Sequence, residues 1–225
     1  NGEITCDYRN IQFNYTLFKQ NEVSGKYRII PQVFGGGQMF GVSFNFTSSD
    51  PELRKIFNDI RFRQAVSLSI NRNEMNNLQY KGLAFISQLG VAPDSIWYDE
   101  KLAKQYTQYD PAAANKLLDE MGLKWDAKHE YRTKLDGSEL KMVMNYGLES
   151  SSDATGDYVQ RYCQKYFKDI GLNVVGKGYD RSVINQQTST GNYDLQFGGG
   201  TGSGSLGYGP IFSMFDPNEL GPIHH

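Results

Sequence analysis

Apolar residues recur along this chain at two different spacings, and the switching between them predicts helices and strands in alternation. From Asn10 to Val23, Ile11, Tyr15 and Phe18 fall at helical intervals with Phe13 and Leu17 as a second row, and Gly25 ends the run. Tyr27 to Val33 and Met39 to Phe46 read as strands around Gly35, Gly36 and Gly37, a triplet too flexible for either strand and suited to joining them. Asp50 and Pro51 then open a long helical region as N-cap and first helical residue. Leu53, Ile56, Phe57 and Ile60 line one stripe of it, and Ala65, Val66, Leu68 and Ser69 another. Asn71 interrupts the pattern ahead of a short helix from Arg72 to Tyr80, and Gly90 to Asp99 has the composition of a loop.

The second half repeats the theme. Asp110 and Pro111 start a helix carrying Ala113, Ala114, Leu117, Leu118 and Met121, which Gly122 ends. Asp136-Gly137 between Tyr131 to Lys134 and Leu140 to Tyr146 reads as a hairpin turn. A helix from Asp153 to Lys168, a strand from Leu172 to Val175, a short helix from Arg181 to Gln187 and a strand from Tyr193 to Phe197 follow. The expected architecture is a mixed α/β layer structure: the five strands beginning at Tyr27, Met39, Leu140, Leu172 and Tyr193 in one central sheet, with the helices that start at Pro51, Pro111 and Asp153 packed on it.

With 225 residues, 39% of them hydrophobic, the chain holds enough apolar material for one domain, or at most two small ones. A formal net charge of -2 with interspersed signs argues against a nucleic-acid surface or a polybasic membrane patch. No apolar run has spanning length, and the opening NGEITCDYRN is too polar for a signal peptide; because Asn1 is no natural initiator, a processed chain or an excised piece is expected. The fifteen tyrosines and thirteen phenylalanines are many for this length; core and rim packing is the plainer reading of them, and a surface that stacks on an organic molecule is the alternative. Cys6 and Cys163 have no metal-ligand or C-x-x-C spacing, and a disulfide between them is possible but unforced. His129 stands alone, while His224 and His225 end the chain in the manner of a tag.

Phe197 to Pro210, FGGGTGSGSLGYGP, contains a literal G-x-G-x-x-G at Gly202, Gly204 and Gly207. A strand precedes it, as a dinucleotide site requires, but Tyr208, Gly209 and Pro210 cannot open the helix that would receive a pyrophosphate. No cofactor is therefore expected. An enzyme is not expected either: there is no nucleophile-base pair, no G-x-S-x-G and no H-E-x-x-H, and Asp119-Glu120 reads as a solvated helix face.

Four stretches in order, IFNDIRFRQAVSLSINRNEMN, YKGLA, QYDPAAANKLLDEMGL and YFKDIGLNV, resemble the family 5 solute-binding proteins of bacterial ABC importers. Arg63, Gln64, Ala65 and Arg72 match one family motif, and Tyr109, Asp110, Pro111, Ala114, Leu117, Leu118 and Gly122 another. The resemblance implies a type II periplasmic-binding-protein-like fold, in which two lobes close on a solute, and it places residues 1–225 as a single domain, lobe II, without lobe I. It further implies an extracellular monomer, anchored at the cell surface or periplasmic, whose partners are a peptide or oligosaccharide, ABC permease subunits and lobe I of the same parent chain. The family includes nickel receptors beside peptide and oligosaccharide ones, but the spacing of Cys6, Cys163 and His129 leads to no metal site being expected here, and the charge balance to no nucleic-acid partner.

Most of the motif residues have structural duties on chemical grounds: Arg63 and Arg72 tie helix ends and loops, Asp110 caps, and Asn45 holds a turn. Solute contacts belong on loops at the cleft edge. Peptide receptors of the family carry G-W-x-G-D after the matching strand, with the tryptophan packing the ligand and the acid pairing with its free amine. Counted from Tyr193-Asp194, those positions here are Gly200 and Ser203. The expected solute-facing set is therefore Phe197, Gly199, Gly200, Thr201, Ser203, Asp180 and Arg181. Because a serine cannot neutralise a buried ammonium, either Asp180 takes that role or the solute lacks a free amine, as an oligosaccharide or capped peptide does. Arg181 is placed to bind a carboxylate or sugar hydroxyls, or else to stand in solvent.

Overall fold

Five of the described helices start where a side chain accepts from the first orphaned backbone amides. In the computed structural model, which describes residues 15–30, 41–88, 93, 98–148 and 154–198, two short helices come first, α1 (Tyr15–Gln20) and α2 (Glu22–Gly25). Asp50 Oδ1 then accepts from the Glu52 and Leu53 amides at 2.9 and 3.2 Å to open α3 (Pro51–Asn58). Asp59 accepts from Arg61 to open α4 (Ile60–Ser69), and Asn71 from Glu74 to open α5 (Arg72–Tyr80). Asp99 caps α6 (Glu100–Lys104), and Asp110, as expected, caps α7 (Pro111–Glu120) with 2.9 Å to the Ala113 amide.

The sheet has four strands in the order β1 (Gly41–Phe44), β4 (Leu195–Gly198), β2 (Lys141–Gly147), β3 (Asn173–Tyr179). β2 runs parallel to both neighbours, while β1 is antiparallel to β4. Between β2 and β3 lies α8 (Ala154–Arg161), continued by a π-helical turn over Tyr162–Phe167; α9 (Arg181–Thr190) joins β3 to β4. Along the strands Val42, Phe44, Met142, Met144, Val174, Leu195 and Phe197 face the main core with α3, α4, α7 and α8. Phe44, Phe57 and Phe62 meet there with ring centroids 5.7 to 5.8 Å apart. α8 sits close on β3 because Gly176 has no side chain: a Cβ there would lie 2.4 Å from Val159 Cγ1. α9 covers the opposite, more polar face, where buried Asn145 donates to Gln187 Oε1 at 2.8 Å and Thr188 to Gln196 Oε1 at 3.1 Å.

Several expectations need correction. Residues 27–30 form no strand: Lys26 takes a left-handed conformation (φ 54°), the Ile29 amide donates to the Glu22 carboxylate, and Tyr27 donates to the Phe18 carbonyl, folding the segment back onto the helices. Residues 10–14 and 31–33 of the first expected helix and strand lie outside the described residues. The long helix after Pro51 is two helices, because extended Asp59 (ψ 121°) ends one and caps the next, so Ile60 leaves its expected stripe and is exposed. The hairpin at Asp136-Gly137 turns as expected, with Gly137 at φ 85°, but it shrinks to one isolated bridge, Thr133 to Glu139, and β2 takes its partners from β3 and β4. Among the described residues no helix is long and apolar enough to cross a membrane.

Candidate functional site

In an open α/β sheet, a crevice forms at the carboxyl ends of adjacent parallel strands whose following connections leave to opposite faces. β2 and β3 meet that condition. The chain leaving β2 reaches α8 on the core face, and the chain leaving β3 enters α9 on the other face. The crevice is thus bordered by Tyr146, Gly147 and Leu148 on one side and by Gly178, Tyr179, Asp180 and Arg181 on the other. A bond from the Leu148 amide to the Tyr179 carbonyl, 3.0 Å, fixes the two strand ends relative to each other.

Asp180 and Arg181, two of the expected solute-facing residues, stand at its mouth. Asp180 has extended backbone (φ -63°, ψ 150°), and its carbonyl accepts from the Val183 and Ile184 amides. Its side chain makes no capping bond to α9, in contrast to Asp50, Asp59, Asp99 and Asp110 on their helices. Arg181 is exposed, and neither side chain has an ion-pair partner among the described residues. A carboxylate and a guanidinium, both unengaged and one residue apart, give the crevice mouth capacity for a zwitterionic or multiply hydroxylated solute.

Phe197 is placed differently. Its ring is buried in the core, 5.4 Å from that of Tyr162, so its contribution is to packing and it leaves the solute-facing set. Gly199, Gly200, Thr201 and Ser203 lie outside the described residues, which end at Gly198, paired with Gly41. Among the described residues no cluster of His, Cys, Asp and Glu is arranged to hold a metal ion.

The residues assigned structural duties perform them. Arg63 donates to the Phe57 carbonyl at 2.7 Å and lies over the Phe46 ring, and Arg72 donates to the Ser67 carbonyl and hydroxyl, both at 2.7 Å. Asn45 donates to the Gly191 and Tyr193 carbonyls at 2.8 and 2.7 Å while accepting from Thr47, which locks the loop before β4. Asp194, at the far end of β4 from the crevice, accepts from the Val143 amide at 2.9 Å, and burial pushes its carboxyl above the ordinary range. Two crevice residues escaped sequence reasoning, Tyr146 and Leu148. Tyr146 was legible as the last residue of a strand, but only the strand order puts that end beside the crevice.

The family profile described as "Bacterial extracellular solute-binding proteins, family 5 Middle" matches residues 1–221. The chain belongs to this family. Its fold is similar to that of a solved oligopeptide-binding protein OppA, 37% identical, with a TM-score of 0.78 over 92% of this chain and 32% of that one. It is also similar to AppA from Bacillus subtilis, solved with a nonapeptide, at 16% identity and a TM-score of 0.72 over 93% of this chain and 40% of that one. Among curated proteins, OppA of Lactococcus lactis subsp. lactis is 33% identical over 116 residues, 52% of this chain and 19% of the relative. This family 5 chain therefore spans about a third or less of the length of the curated relatives it matches. The fold also accommodates chemically different solutes, as in NikA from Brucella suis with Fe(III)-EDTA (20% identical, TM-score 0.68) and MelB with stachyose (16%, 0.62).

Proposed function

We propose that residues 1–225 form lobe II of a two-lobe receptor that captures an oligopeptide between its lobes and presents it to ABC permease subunits, acting by lobe closure with no covalent chemistry. The observation that carries this reading is the departure of the chain to opposite faces from the adjacent parallel ends of β2 and β3, in a chain 37% identical to an oligopeptide-binding protein over 92% of its length. Asp180 supplies the carboxylate that a peptide amine needs and that Ser203 does not, and because its side chain makes no capping bond to α9 the carboxylate is available for that pairing. Arg181, beside it, suits a side-chain or terminal carboxylate.

An oligosaccharide is the second reading. Ser203 in place of an acid and the neighbouring glycines present neutral donors and acceptors, and a Thermotoga maritima relative of the same fold (18% identical, TM-score 0.63) binds mannohexaose. Calorimetry on the full-length protein with synthetic tetra- to nonapeptides, their N-acetylated forms, mannohexaose and stachyose separates the two. The peptide reading expects micromolar or tighter binding of free peptides that weakens on acetylation. Binding of sugars alone would replace it with the second, and binding of neither class would remove both.

A further inference from the structure

The geometry points to Tyr146 and Leu148 as a solute-contacting step on the core side of the same crevice, taking a solute segment with an apolar face next to a hydrogen-bonding atom. The inference rests on the receptor reading above and deepens it. Tyr146 occupies the last core-facing row of the sheet, paired with Gly178 of β3 and Phe197 of β4. Beyond that row the strands end and their connections diverge, so Tyr146 is the final side chain between the packed core and the crevice.

Its neighbours leave it room on both flanks. A Cβ on Gly178 would come within 3.1 Å of Tyr146 Cε2, so only glycine lets the ring lie flat along β3. A Cβ on Gly156, in the first turn of α8, would lie 3.8 Å from the hydroxyl, so glycine at that position keeps a side chain off the phenol. The ring packs on the core, and the residue as a whole is only partly buried. Its hydroxyl has no hydrogen-bond partner among the described residues, whereas the phenols of Tyr106 and Tyr166 are bonded to Gln64 and Glu74. A hydroxyl left open at the end of a packed ring offers one donor and two acceptor sites.

Leu148 completes the step. Two residues on from Tyr146, it projects to the same side of the strand path. Its amide is tied to Tyr179, and its Cδ2 reaches to 2.4 Å from where a Gly178 Cβ would be. The residue as a whole is 59% exposed, so part of this anchored aliphatic surface is open to solvent. Aliphatic surface beside a free phenol matches a peptide side chain with its adjoining amide, and equally the C–H face of a pyranose with its hydroxyl. The two sources share that chemistry, and the ligand panel tells them apart.

The test uses the full-length protein and whichever member of the panel above binds it most tightly, with Tyr146→Phe and Leu148→Ala as separate variants. Phe keeps the ring packing and removes only the hydroxyl, so the ligand-free melting temperature should stay at the wild-type value while Kd rises about three- to tenfold, the loss of one neutral hydrogen bond. Leu148→Ala, exposed and outside the core, should weaken binding to a similar degree. Tyr109→Phe, a half-exposed tyrosine on the loop before α7, serves as the control that leaves Kd unchanged. Binding by both test variants within twofold of wild type would overturn the inference while leaving the receptor reading intact. Failure of the wild-type protein to bind any member of the panel would instead overturn that reading, and this inference with it.

Discussion

Arg132 and Asp119 form an ion pair whose partners occupy opposite environments: the arginine side chain is wholly buried and the aspartate side chain is 61% exposed. Asp119, expected to belong to a solvated helix face, sends Oδ1 to within 2.7 Å of Nη1. The guanidinium is otherwise satisfied from within. Nε donates to the Ile170 carbonyl, Nη1 to the Leu123 carbonyl and Nη2 to the Asn115 side chain, while Trp125 lies against its face at 4.7 Å. Arg132 thereby joins the end of α7 to the turn before β3.

The two partners should respond very differently to substitution. Arg132→Met leaves buried carbonyls without donors, and about 3–5 kcal/mol of stability should be lost, as when one side of a buried polar network is removed. Asp119→Asn keeps an acceptor at an exposed position and should cost less than about 1 kcal/mol. Urea unfolding of both variants decides it; equal losses would mean that the carboxylate, rather than the carbonyl cage, holds the arginine.

Glu74 supplies a pH-dependent tie between α5 and the π-helical turn. It accepts from Lys165 at 2.9 Å, Tyr166 at 3.1 Å and Arg161 at 2.7 Å. The hydrogen bond from Lys165 first, then that from Tyr166 and the two cations, hold its carboxyl below the ordinary glutamate value. A depressed folded-state pKa gives stability that is fully present above the unfolded value and is lost as pH falls through the folded one. The melting temperature should therefore drop more steeply below the ordinary glutamate range in wild type than in Glu74→Gln. Parallel curves for the two would show that the tie does not survive in solution.

Asp194 carries the opposite sign. Burial first, with nearby Asp50 adding to it, raises its carboxyl pKa, so the ionised form is disfavoured in the folded state relative to the unfolded one. The resulting penalty is fully present above the folded pKa and fades as pH falls toward the unfolded value. Asp194→Asn retains an acceptor for the Val143 amide and removes the charge. It should melt higher than wild type at pH 7, with the gap closing in acid; a lower melting temperature at pH 7 would mean that the carboxylate's bond to Val143 outweighs its desolvation.

What the sequence revealed and what it hid divide along the range of the interactions. Helix starts at Asp50 and Asp110 were legible because a cap acts across three residues. The break at Asp59 was not, because Ile60 continues the helical spacing of Leu53, Ile56 and Phe57 and only the backbone reveals the turn outward. The π-helical turn over Tyr162–Phe167 hides for a similar reason: its apolar residues suit an α-helix equally well. Arg132 draws its partners from 9 to 38 residues away, beyond any local pattern. The candidate site shows the same division. Asp180 and Arg181 could be singled out as a loop entering a helix, while Tyr146 and Leu148 join them only through the placement of β2 between β4 and β3.

Asp180 and Arg181 yield the prediction that bears most directly on function. Both are exposed, and neither supports the fold through a side-chain bond or an ion pair among the described residues, so Asp180→Asn and Arg181→Ala should leave the ligand-free melting temperature near wild type. Binding should divide between them according to the charge each one meets. If Asp180 receives a peptide amine, Asp180→Asn should weaken free peptides by tenfold or more and leave N-acetylated peptides almost untouched, since the amide loses the charge but keeps an acceptor. Arg181→Ala should lower affinity for solutes with a carboxylate more than for neutral ones, and the difference should shrink in high salt because the pair lies at the open mouth of the crevice. Calorimetry of both variants against free, acetylated and amidated forms of one peptide reads each effect separately. Uniform losses across all three forms would show that the two charges shape the crevice without selecting what enters it.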